Sequence, residues 1–177
     1  MGYVKQDNEV MFEPTAIDAT DKAMLYRELD QQLAALLTGE RDLTANAANT
    51  ASLLFHALPD VNWVGFYFLK DQELVLGPFQ GNPACTRIAI GKGVCGMAAS
   101  RRASVIVEDV SRFPGHITCD SASRSELVVP LIDDDRLLGV LDLDSPCLAR
   151  FDEQDRLGCE QLATTVVRAS SCGAAPD

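Results

Sequence analysis

The thiols are the first side chains in this 177-residue chain with chemistry to offer. Cys119 lies in the run Phe113-Pro114-Gly115-His116-Ile117-Thr118-Cys119-Asp120-Ser121, with His116 close enough along the chain to hydrogen-bond or pair with a thiolate. Cys85 falls in a stretch rich in helix and strand breakers. Cys95 falls near an expected helix N-terminus, where the dipole favours the thiolate. A thiolate at any of these positions is a candidate nucleophile, and spacing leaves open which one attacks. The His116/Cys119 pair also fits metal ligation, but no further ligands join it in the sequence, and no metal site is expected. Cys147, Cys159 and Cys172 have plainer readings: Cys159 as core of the last helix, and Cys172 in a tail.

Carboxylates form the second group. Two apolar runs, Glu126 to Ile132 and Leu137 to Asp144, flank Asp133-Asp134-Asp135-Arg136, which reads as an antiparallel hairpin. A turn centred between Asp134 and Asp135 pairs residues whose numbers sum to about 269. Glu126 then faces Asp142 or a neighbour. Asp142 and Asp144 share a face because strand side chains alternate, while Leu141 and Leu143 take the other. Like charges placed opposite one another destabilise a sheet, so three converging carboxylates should hold a cation or share a proton. That makes Glu126, Asp142 and Asp144 an ammonium pocket, with a carboxylic acid kept protonated by its neighbours. The plainer reading is a solvated sheet end.

Trp63 and Tyr67 are the third group. In the strand expected over Asn62 to Lys70 they lie on one face, and Val64, Phe66 and Phe68 on the other. One aromatic face should pack as core and the other can line a site for a methyl or sulfur group.

The elements that must position these groups are legible in the same way. Apolar residues recur with helical spacing from Thr20 to Leu37, with Asp18 or Thr20 as cap, and again from Thr44 to Leu58. Strands are expected over Asn62–Lys70, Glu73–Leu76, Arg87–Ile90, Ser104–Val107 and the hairpin, a short helix over Val94–Arg102, and a final helix from about Asp152 to Ala169. Gly77 to Thr86 and Glu108 to Ser123 read as long loops, and long loops in a compact domain are commonly functional. The result is an α+β domain. A central, mostly antiparallel sheet carries the N- and C-terminal helices on one side and the long loops on the ligand side. Residues 1–19 read as an N-terminal extension, 20–170 as one domain and 171–177 as a C-terminal tail.

Net charge of -11 opposes nucleic-acid or anionic-membrane partners and suits a cationic or zwitterionic small molecule. No apolar run reaches membrane-span length, and the first residues carry no signal-type stretch. A reducing cytoplasmic setting, without permanent disulfides, is therefore expected. Gly91-Lys92-Gly93-Val94-Cys95-Gly96 matches a dinucleotide-binding glycine pattern. Its feeding strand and helix are shorter than a dinucleotide crossover needs, so the glycines are read as a tight turn that brings backbone close to a ligand.

Taken together, several segments resemble the free methionine-R-sulfoxide reductase family. They are Asn62-Trp63-Val64-Gly65-Phe66-Tyr67, Leu76-Gly77-Pro78-Phe79-Gln80-Gly81, Pro83-Ala84-Cys85-Thr86-Arg87-Ile88, Gly91 to Gly96, Phe113 to Ile117, Cys119-Asp120-Ser121-Ala122-Ser123-Arg124-Ser125-Glu126 and Leu141-Asp142-Leu143-Asp144-Ser145-Pro146. The resemblance spans about Asp21 to Val167. It implies a GAF-type domain and thiol-dependent reduction of free methionine-R-sulfoxide without a cofactor. By resemblance Cys119 is the nucleophile, Cys85 the usual resolving thiol and Cys95 a second thiol able to pair. Glu126, Asp142 and Asp144 are the acidic ligands, with Glu126 or Asp144 as acid, and Trp63 and Tyr67 are the aromatic contacts. Thioredoxin is the implied reductant, and a homodimer is a compatible assembly. Cys147, Cys159 and Cys172 lie outside the family's pattern. The alternatives are a non-catalytic GAF module that binds and senses a small molecule, a nucleotide-binding oxidoreductase, and a peroxide-reactive thiol sensor.

Overall fold

The computed structural model describes residues 21–115 and 122–171. His116, Cys119, Cys172, the extension over residues 1–19 and the suggested caps Asp18 and Thr20 lie outside the described residues.

Helix α1 (Lys22–Leu36) opens at Asp21, whose side chain accepts the backbone N–H of Met24 at 2.8 Å. Asp42 does the same for α2 (Leu43–Ala57), accepting from Ala45 at 2.8 Å. Six strands follow in one sheet: β1 (Trp63–Lys70), β2 (Glu73–Gly81), β3 (Arg87–Ala89), β4 (Val105–Val107), β5 (Ser125–Asp133) and β6 (Arg136–Ser145). Helix α3 (Gly93–Arg101) sits between β3 and β4, and a 3₁₀ turn (Val110–Arg112) follows β4. Helix α4 (Glu153–Ser170) closes the domain, its start fixed by a capping box between Asp152 and Asp155. No helix of the described residues is long and apolar enough to cross a membrane.

The strand order is β3-β2-β1-β6-β5-β4, and every neighbouring pair is antiparallel. β1 is central, as its two apolar faces require. Val64, Phe66, Leu127, Val129, Leu131, Leu141 and Leu143 point to one face and pack with Leu29, Leu33, Leu54, Leu162 and Val166 of α1, α2 and α4. Each such side chain, fully buried, contributes roughly 1.5–3 kcal/mol, so this face is the rigid support. The other face carries Trp63, Tyr67, Val128 and Val140, covered by Val94, Cys95, Ala98 and Ala99 of α3. The N- and C-terminal helices thus share one side, and α3 lies across the opposite one.

One expectation is corrected. Gly77 to Gly81 is not loop but the second half of β2, running on beside β1. The register shifts between Gly65 and Tyr67, so that Gly77 and Pro78 together oppose Phe66. A bulge of this kind tolerates a proline, which has no N–H to give a ladder. The breakers therefore bend the strand instead of ending it.

Candidate active site

The hairpin of β5 and β6 sets the acidic cluster. Its register sums to 269 at the turn (Asp133 with Arg136) and to 270 beyond an irregularity at Leu131/Ile132. Glu126 consequently pairs with Asp144, and Val128 with Asp142. β1 lies on the other side of β6, with Trp63 opposite Asp144, Gly65 opposite Asp142 and Tyr67 opposite Val140. Alternation then puts Glu126, Asp142, Asp144, Trp63 and Tyr67 on the α3 face; sequence spacing pairs Asp142 with Asp144 and Trp63 with Tyr67, and the β1–β6 pairing joins the two groups.

α3 closes over this face and brings Cys95 onto the carboxylates. The Cys95 Sγ–H donates to Asp142 Oδ2 at 3.2 Å and lies 3.9 Å from Glu126 Oε1. Cys95, Glu126 and Asp142 are 3%, 5% and 6% exposed, while Asp144 is half-buried. The helix can come this close because Gly96 has no side chain: a Cβ there would lie 2.4 Å from the Ala89 carbonyl oxygen of β3. The glycine-rich run therefore serves helix-to-strand packing, and places Cys95.

Burial dominates the electrostatics. It raises Glu126 well above the usual carboxylate range, and the charges of Asp142 and Asp144 raise it further. Burial raises Asp142 to about 7, against the lowering effect of hydrogen bonds to Cys95 and Glu126. The two carboxyls are hydrogen-bonded to each other, and both are raised. Burial, then Asp142 and Glu126, also push the Cys95 thiol well up. The helix dipole was expected to favour a Cys95 thiolate, but desolvation and adjacent carboxylates outweigh it. Asp142 Oδ1 is buried without a hydrogen-bond partner among the described residues, which is an acceptor offered to a donor from outside.

The aromatics are buried and polar-tipped. Trp63 stacks on Phe79 with ring centroids 5.4 Å apart and on Tyr67 at 6.0 Å. The Trp63 indole N–H donates to the Asn82 carbonyl at 3.1 Å, and the Tyr67 hydroxyl donates to the Cys85 carbonyl at 3.0 Å. β1 thereby anchors the segment that carries Cys85. Cys85 is half-buried and disulfide-bonded, while Cys95, Cys147 and Cys159 are free. Cys159 is a core thiol of α4, its pKa pushed up to about 12 chiefly by burial, and Cys147 is exposed.

Of the residues singled out by sequence, Trp63, Tyr67, Cys95, Glu126, Asp142 and Asp144 share one face, with Cys85 tied to it through Tyr67. Sequence reading missed Phe79 and Asn82. Phe79 was obscured by reading Gly77 to Gly81 as loop, and period-two alternation through Pro78 is the signal that could have found it.

The comparisons agree with this geometry. A family profile described as "GAF domain" matches residues 29–169. The free methionine-R-sulfoxide reductase of Escherichia coli (strain K12) is 49% identical over 142 residues, covering 80% of this chain and 86% of that protein. The enzyme of that name from Saccharomyces cerevisiae is 42% identical, covering 82% and 86%. The X-ray structure of free methionine-R-sulfoxide reductase from Neisseria meningitidis in complex with its substrate superposes with a TM-score of 0.83 at 50% identity, covering 86% of this chain and 92% of that one. Fold, face and sequence agree over most of the chain: it belongs to the GAF-domain family and, within it, to the free methionine-R-sulfoxide reductases.

Proposed function

We propose that this chain reduces free methionine-R-sulfoxide to methionine, with Cys119 as nucleophile, Cys85 as resolving thiol and thioredoxin as reductant in a cytoplasmic setting. The observation that carries the reading is the cluster of buried Glu126 and Asp142 with half-buried Asp144 beside the stacked Trp63 and Tyr67. A free amino acid brings an ammonium for the carboxylates, Asp142 Oδ1 included, and a methyl-sulfur end for the aromatics.

The chemistry then follows. The Cys119 sulfur attacks the sulfoxide sulfur while Glu126 or Asp144, acting as the acid, gives a proton to the oxygen. The oxygen passes to Cys119 as a sulfenic acid and methionine leaves, reduced by two electrons. The Cys85 thiol condenses with the sulfenic acid, expelling water and forming a disulfide, which a dithiol such as thioredoxin reduces by exchange. The anchored, half-buried position of Cys85 supports it as the resolving thiol. The buried neutral thiol of Cys95 fits a wall of the carboxyl pocket better than an attacking group, while leaving it a second thiol able to pair.

The test is substrate choice. Free methionine-R-sulfoxide should exceed an N-acetylated or peptide-bound sulfoxide in kcat/KM by roughly 10- to 100-fold, the worth of a hydrogen bond to a charged group. Equal rates on both would remove the ammonium pocket. Binding of the free amino acid with no methionine formed would favour a sensing module.

A further inference from the structure

We propose that Cys95, Glu126 and Asp142 form a binding site for zinc, or another borderline-soft divalent cation, that competes with the substrate ammonium. The three side chains come from separate elements, α3, β5 and β6, and one ligand atom of each lies within 4.8 Å of the other two. A tetrahedral zinc with a Zn–S bond of ~2.3 Å and a Zn–O bond of ~2.0 Å separates sulfur from oxygen by about 3.5 Å. The Cys95 Sγ distances of 3.2 Å to Asp142 and 3.9 Å to Glu126 bracket that value. A second observation points to a ligand here. Asp142 is buried, and its Oδ1 has no hydrogen-bond partner among the described residues, although its Oδ2 accepts from Cys95. Buried polar atoms are seldom left so.

The donor set selects the ion. One thiolate with two carboxylates suits zinc better than magnesium or calcium, which prefer oxygen alone. Three protein ligands leave a fourth position for water, the pattern of an exchangeable site. On binding, the Cys95 thiol proton and any carboxyl proton leave to solvent as the metal–ligand bonds form, the sulfur binding as thiolate. Cys95 is free in the same structure in which Cys85 is disulfide-bonded, so the site does not depend on reduction of Cys85. Binding stands apart from the reductase reading; only its inhibitory consequence rests on it.

The experiment uses the full-length protein with Zn²⁺ in competition with a chromophoric chelator, and with Co²⁺ followed by its thiolate charge-transfer absorption. Cys147→Ser and Cys85→Ser should each bind one Zn²⁺ as the unmodified protein does. Cys95→Ser should lose the Co²⁺ charge-transfer band and weaken zinc by more than ~100-fold, beyond the roughly 10- to 100-fold effect of losing an outer-shell partner. Asp142→Asn should weaken zinc to a similar degree while Cys95 still gives the band at high Co²⁺. Retained affinity and band in Cys95→Ser, or dependence on Cys85 or Cys147 instead, overturns the site. If zinc binds as proposed but leaves sulfoxide reduction unaffected at saturation, the site stands and the placement of the substrate among these carboxylates is what fails.

Discussion

The Tyr67 hydroxyl donates to the backbone carbonyl of Cys85 at 3.0 Å, so the central strand of the sheet holds the segment that carries the proposed resolving thiol. Tyr67→Phe removes that donor and its hydrogen bond, a loss of about 0.5–1.5 kcal/mol. Single-turnover methionine formation at saturating sulfoxide should change little, while the thioredoxin-coupled steady-state rate should fall several-fold. A parallel drop in both rates would mean that the hydroxyl serves the first chemical step.

Gly65 faces Asp142 across the β1–β6 ladder and lies under the aromatic wall. A Cβ there would lie 2.4 Å from the Trp63 ring and 2.4 Å from Phe79 Cβ. Gly65→Ala should push the indole off its stack, destabilise the fold by roughly 1–3 kcal/mol as overpacking does, and raise KM more than it lowers kcat. Calorimetry and steady-state kinetics check both parts. An unchanged KM would show that the Trp63 ring position does not matter to substrate.

Asp155 is buried at the start of α4, where it accepts from Tyr26 at 2.9 Å and from Arg150 at 3.1 Å and pairs with Lys22. It joins α1, α4 and the segment after β6. Asp155→Ala leaves Arg150, itself largely buried, without its carboxylate partner, and should cost about 3–5 kcal/mol of stability. Urea denaturation measures it, with the m-value expected to hold. A loss under ~1 kcal/mol would place these groups with ordinary surface ion pairs.

Asp142 rises from 3.8 to about 7 on folding, chiefly through burial. Between those values the native state binds more protons than the unfolded chain, so this contribution to stability is complete at low pH and is lost as pH rises through about 7. Glu126, raised in the same way, adds to the same slope. Asp109, Asp152 and Glu153 are lowered, so what they contribute is lost only as pH falls below the ordinary carboxylate range. The unliganded protein should therefore melt lower at about pH 8 than at about pH 5, and Asp142→Asn should flatten much of that difference. An identical slope in the variant would put the responsible groups elsewhere.

Much of this site is readable from residue types because strands impose simple arithmetic. A turn at Asp134/Asp135 and a period of two are enough to place Glu126 against Asp144 within one residue of register, and to separate Trp63 and Tyr67 from Val64 and Phe66. What escaped depends on contacts between elements distant in sequence. That α3 turns Cys95 onto Glu126 and Asp142 follows from the close approach of Gly96 to Ala89, which no local pattern encodes. Nor does local chemistry distinguish a bulge at Gly77-Pro78 from a loop, because the same breakers serve both; the pairing with β1 decides.

The most direct test of the proposed cycle is to mix fully reduced protein with excess free methionine-R-sulfoxide, without reductant, and to follow methionine and thiols by intact and peptide mass spectrometry. The expected result is about one methionine per chain, two thiols lost, and a new disulfide joining Cys119 to Cys85. No methionine and no thiol loss from folded protein, or turnover that persists at a normal first-cycle rate in Cys119→Ser, would contradict it.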